Sequence, residues 1–127
     1  VKNMQHILVC VTQQKTCERL IKKGAELKKD FGGELFVIHV AKDGDNFLDN
    51  PMQNDALEYL FDISKEYEAS MTVLRSNNVV EAIEKFAKEN DISQIVLGAA
   101  PGDVKENIIL KGLYEKLPKC EFHIVNN

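Results

Sequence analysis

Few residues in this chain are of a type and spacing that could do chemistry, and most of those suit anion binding better than turnover. Gly98 closes the apolar run Ile92-Ser93-Gln94-Ile95-Val96-Leu97, so it stands at the carboxyl end of a predicted strand, where open α/β sheets hold their ligands. Thr12 takes the same place after the run from His6 to Val11. Beyond Gly98 lie Lys105 and Lys111, either of which can neutralise a phosphate. Groups for catalysis do not assemble in this way. His6, His39 and His123 fall one each at or within strands, without the HxxxH or HExxH spacing that brings two rings onto one metal. Cys10, Cys17 and Cys120 are odd in number and lack CxxC spacing, which argues against a disulfide framework and a zinc site. They read as reduced, with Cys10 in the core. The sequence holds no GxSxG turn and no P-loop, and Ser64, Ser70, Ser76 and Ser93 sit in helix or turn contexts. The expectation is a binding module, with no catalytic residues, no metal and no enzyme activity.

The elements that must position Thr12 and Gly98 alternate regularly. Ile7 to Val11 is apolar on both faces, as a central parallel strand covered by helices should be. Cys17, Leu20, Ile21, Gly24, Leu27 and Phe31 form a helical stripe, and Gly32 supplies its stop. Leu35 to Val40 is a second strand. Asp43-Gly44-Asp45-Asn46 marks a turn, and a helix from about Gln53 to Glu68 places Leu57, Leu60, Phe61, Ser64 and Tyr67 on one face. Met71 to Leu74 is a short third strand. Asn77-Asn78 caps a third helix from Val79 to Lys88, with Ile83, Phe86 and Ala87 inward. After Ile92 to Gly98 and a loop to Lys105, a fourth helix aligns Ile109, Leu113, Tyr114 and Leu117 and ends at Pro118, and Phe122 to Val125 closes the chain. Five parallel strands with four helices make a doubly wound, Rossmann-like α/β sheet, for which the right-handed crossover favours the order 3-2-1-4-5. A crevice then opens between strands one and four, beside Thr12 and Gly98.

Length and composition set the outer limits. The 127 residues fit one domain spanning 1–127, with 44% hydrophobic and 28% charged residues, as in soluble globular proteins. No apolar stretch approaches the ~20 residues that span a bilayer, so direct membrane insertion is not expected. The amino terminus has no apolar core of secretory length, making the cytoplasm the default compartment. Opening on Val1 fits a processed chain, a domain cut from a longer protein or a non-standard initiation codon. The net charge is -4, and Asp43 to Glu68 carries eight acids against Lys65 alone, a surface that repels phosphate backbones and excludes duplex nucleic acid as a partner.

Over nearly its full length the chain resembles the universal stress protein family. Ile7-Leu8-Val9-Cys10-Val11 is similar to the family's first strand and Phe36-Val37-Ile38-His39-Val40 to its second. Cys17-Glu18-Arg19-Leu20-Ile21 and Asp91 to Gly98 are most similar to the stress-protein-like domain of osmosensitive potassium-channel sensor histidine kinases. The resemblance implies the fold above, dimerisation, and a part in stress response or signalling without established turnover. In members that bind ATP it implies a G-2x-G-9x-G-[S/T] loop, whose glycines let main-chain N–H groups approach an anion. Gly98, Gly102 and Gly112 match that loop imperfectly. The first interval is one residue too long, Pro101 has no N–H to donate, and Leu113 stands where a hydroxyl is expected. The acid such members carry after strand one is replaced by Thr12. Gly98 and Gly112 also have a plain structural reading, as residues that permit tight turning and close packing.

The expectation is therefore a non-catalytic sensor module with a degenerate nucleotide-binding loop. Its candidate ligand residues are Thr12, Val40, Gly98, Gly102, Lys105, Lys111 and Gly112, and ATP or another adenine nucleotide is the candidate ligand. The alternative is an ATP-binding stress protein with little or slow hydrolysis. A third reading is a small α/β enzyme with a site the motifs do not reveal. Phe122, His123, Ile124 and Val125 would form an exposed sheet edge, giving a homodimer. Other domains of a sensor kinase are the further partners implied.

Overall fold

The computed structural model describes residues 5–11, 17–41, 51–98 and 104–125, with the side chains of 17, 41, 51–57 and 104–107 left out of the description. Its elements are β1 (Gln5–Val11), α1 (Cys17–Phe31), β2 (Gly32–Ala41), α2 (Pro51–Glu66), β3 (Ser70–Arg75), α3 (Val79–Glu89), β4 (Ile92–Gly98), α4 (Val104–Lys116) and β5 (Glu121–Val125). All strand pairings are parallel and the order is β3-β2-β1-β4-β5, as the crossover argument requires.

Alternation along the central strands divides the core in two. Ile7, Val9 and Val11 face α1 and α2 with Leu20, Ile21, Leu27, Leu60 and Ile63, whereas Leu8 and Cys10 face α3 and α4 with Ile83, Ala87, Leu113 and Leu117. Crossovers that move outward from β1 through β2 to β3 put α1 and α2 on one face. The jump back to β4 puts α3 and α4 on the other. Reversal of winding therefore falls between β1 and β4.

Local signals account for the element ends. Gly32 adopts φ +73°, stopping α1 and opening β2 in a single residue, which is why β2 begins three residues before the expected Leu35. Asn78 caps α3 by accepting from the Glu81 amide at 3.0 Å. Asn90 closes that helix onto the Phe86 carbonyl through both its backbone N–H (3.1 Å) and its side chain (2.9 Å). The second helix runs from Pro51 to Glu66 and not from Gln53 to Glu68, because Glu68 turns to φ 57° and Ala69 reaches back to the Ser64 carbonyl at 2.8 Å. Helical spacing places Phe61 inward, yet it is 41% exposed and Ile63 is buried in its stead. Tyr114 is likewise 46% exposed, its ring edge-on to Phe122 at 4.6 Å.

At the amino end of the sheet each neighbour of β1 carries one extra residue. Gln5 pairs with Gly32 but Ile7 with Leu35, and His6 pairs with Ile92 but Ile7 with Gln94. His6 fills the first irregularity by accepting from the Glu34 amide through Nδ1 at 3.0 Å. At the second, the buried Gln94 donates through Nε2 to Gln5 Oε1 at 2.6 Å. Its own Oε1 lies 2.6 Å from His123 Nε2, which must be the donor. This amide chain joins β1, β4 and β5 inside an otherwise apolar layer.

Candidate functional site

The crevice can be located from the ladder alone. Pairing of β1 with β2 continues to Val11 opposite His39, but pairing of β1 with β4 stops at Val9 opposite Val96. Meanwhile β4 stays paired with β5 to Gly98 opposite Val125. Cys10-Val11 and Leu97-Gly98 therefore part at their carboxyl ends, between the strands where the winding reverses.

His39, which sequence marks only as a strand-end histidine, sits on β2 opposite Val11, one strand away from the parting. Its Nδ1 lies 2.9 Å from the Val11 carbonyl, and a carbonyl can only accept, so Nδ1 carries a hydrogen and donates it. The signal available in the sequence is its place one residue before Val40, at the end of the second apolar run. Val40 is half-buried and packs on the side of α3 and α4.

Thr12 and Gly102 lie outside the described residues, as does the side chain of Lys105, whose backbone is in the first turn of α4. Lys111 is exposed. Gly112 lies inside a continuous α4, and a Cβ built there would come within 3.0 and 3.3 Å of the two Val80 methyls. Close approach of α4 to α3 thus accounts for this glycine. Since Val80 is in the first turn of α3, the contact is level with the carboxyl end of the sheet. Leu113 is fully buried among Leu8, Ile83 and Ile95, so the position where a phosphate-binding hydroxyl would stand points into the core.

Cys10, next to the crevice, is buried, and desolvation pushes its thiol from the ordinary 9.0 up to about 12. Such a thiol stays neutral and unreactive at physiological pH. Among the described residues there is no group of three His, Cys, Asp or Glu side chains able to hold a metal ion. Nor is any described helix long and apolar enough to cross a membrane.

The doubly wound parallel sheet, with its winding reversed between β1 and β4, is a Rossmann-like α/β fold. Residues 3–115 match the universal stress protein family, and the chain belongs to it. It is 30% identical over 128 residues to a protein of Synechocystis named as the sensor protein KdpD, covering 97% of this chain and 34% of that one. The chain thus spans about a third of that relative. Among solved structures it is similar to a universal stress protein from Burkholderia pseudomallei, with a TM-score of 0.69, 18% identity and 95% of each chain covered. It is also similar to one from Archaeoglobus fulgidus in complex with dAMP, with a TM-score of 0.61, 16% identity, and 99% of this chain and 98% of that chain covered.

Proposed function

We propose that this chain is a non-catalytic sensory module that takes an adenine nucleotide or a similar anion in the crevice between β1 and β4. In this reading it reports occupancy to other domains of a sensor kinase. The observation that carries the reading is the end of pairing between β1 and β4 at Val9 and Val96, and a ligand in this reading would sit beside Gly98. The dAMP complex of the Archaeoglobus relative supports the ligand class, and the likeness to a sensor protein supports the setting. Thr12, Val40, Gly98 and Gly102 would line the ligand, with Lys105 and Lys111 near its phosphates. Gly112 would act by letting α4 seat against α3. Burial of Leu113 and the inert Cys10 thiol favour binding over turnover. Phe122, His123, Ile124 and Val125 lie on the edge strand β5 and are half-buried, which suits pairing with a second copy.

Isothermal titration with ATP, ADP, dAMP and a cyclic dinucleotide tests the site. Saturable binding of one of these, weakened by Gly98→Val, with the nucleotide recovered intact, is the expected result. No binding up to millimolar nucleotide overturns the site, and sustained phosphate release overturns the non-catalytic reading. Sedimentation of a monomer only, at high micromolar concentration, overturns the edge pairing.

A further inference from the structure

A second concavity lies at the opposite end of β4, where α3 and α4 both finish and the chain enters β5. It is an open cleft of about 450 Å³ between Ala87, Ile92, Lys116, Leu117, Lys119 and Cys120. That volume falls in the range of roughly 300–1,000 Å³ typical of small-molecule sites. Its floor is apolar, with Ala87, Ile92 and Leu117 buried. Its rim is basic, with three lysines against Asp91 in a chain whose net charge is -4. Lys88 is held by Glu84 at 3.2 Å. Among the described residues, Lys116 and Lys119 have no carboxylate within salt-bridge distance.

Lysines in the last turn of a helix are favoured by the helix dipole, which accounts for Lys88 and Lys116 taken singly. It does not account for Lys119, which follows Pro118 beyond the end of α4. Nor does it account for the cleft between the two helix ends. One wall is the Cys120 thiol, which donates to the Ile92 carbonyl at 3.2 Å. Burial pushes this thiol up from its ordinary value, as expected of a group set back from bulk water.

We propose that this concavity is a second binding site, separate from the β1/β4 crevice, for a small amphipathic organic anion. An apolar or aromatic body would lie on Ala87, Ile92, Leu117 and Pro118, with its carboxylate, sulfonate or phosphate between Lys116 and Lys119. Contact with the apolar floor and attraction to the two ammonium groups together supply the affinity, and the ammonium groups supply the selection for charge. Neutral ligands of the same shape leave the ammonium groups without a partner and bind more weakly.

Anilinonaphthalenesulfonate, an aromatic sulfonate, is the probe, titrated by fluorescence into the full chain. The expected result is saturable binding of one probe per chain, weakened roughly tenfold or more by the double substitution Lys116→Glu, Lys119→Glu. The control pair Lys22→Glu, Lys29→Glu, on the exposed face of α1, leaves it unchanged, and circular dichroism verifies that both variants are folded. Bound probe slows iodoacetamide alkylation of Cys120, read by peptide mass, with the same half-saturation as the fluorescence. Three results overturn the proposal: equal loss in the control pair, displacement of the probe by ATP that Gly98→Val abolishes, or Cys120 alkylation indifferent to the probe.

Discussion

Gly24→Ala tests how α1 is seated on the sheet. A Cβ at this position would stand 2.6 Å from Val9 Cγ2 and 2.8 Å from Leu35 Cδ1. Neither neighbour has room to yield, since Val9 is 0% and Leu35 2% exposed. Two terms oppose one another. Replacing glycine by alanine inside a helix gains about 1 kcal/mol of propensity. Forcing a methyl into a filled core costs about 1–3 kcal/mol, and contacts this short belong at the upper end. The net expectation is a loss of about 2 kcal/mol, which lowers Tm by about 8 °C in a chain of this size. Urea unfolding at 25 °C, followed by circular dichroism, measures it. Val9→Ala removes the nearer methyl and lets Leu35 move, so in that background Gly24→Ala should cost close to nothing, a coupling of about 2 kcal/mol. If Gly24→Ala instead stabilises the otherwise unaltered chain, or costs the same with Val9 truncated, the packing argument for α1 is wrong.

Two further predictions concern the neighbourhood of the crevice. Leu113→Ser restores the hydroxyl of an ATP-binding loop but should lower stability by about 3–5 kcal/mol, from the lost core volume and a buried hydroxyl, without improving ATP affinity; thermal melts and calorimetry check both halves. Cys10 keeps its proton in the folded chain up to about pH 12, whereas the unfolded chain releases it from about pH 9, so its contribution is complete below pH 9 and is lost as pH rises. The folding equilibrium constant should therefore fall by up to about tenfold per pH unit between those limits, relative to a Cys10→Ala variant with no such slope. Parallel pH profiles for the two chains would contradict the assignment.

Strand order, and with it the point where the winding reverses, is legible in the sequence because it depends on local pattern combined with one general rule of handedness. Gly32 and Asn78 likewise announce the helix ends they make. Side-chain facing is legible only where an element has a single apolar stripe. In α2, Leu60, Phe61 and Ile63 offer more apolar surface than one face can bury, and the choice of Ile63 over Phe61 is made by the packing partners. The role of Gln94 depends on Gln5, 89 residues away, and on His123, 29 residues away, neither of which periodicity can pair with it. The lysine-rimmed concavity escapes sequence analysis for a similar reason: its walls come from the ends of two helices that meet only in three dimensions. For the nucleotide loop, Leu113 already signals the loss of a hydroxyl, and only its burial reveals that the position serves the core.

The amide chain through Gln5, Gln94 and His123 bears on how copies of this molecule can meet. Sliding β5 by one residue would turn His123 to the opposite side and strand the Gln94 oxygen in a dry interior, a penalty of about 1–3 kcal/mol before any lost packing is counted. The final ribbon is in effect latched at a single setting. Exchange of that ribbon between protomers would have to rebuild the same three-member latch across the junction, whereas docking along its outer margin leaves the latch untouched.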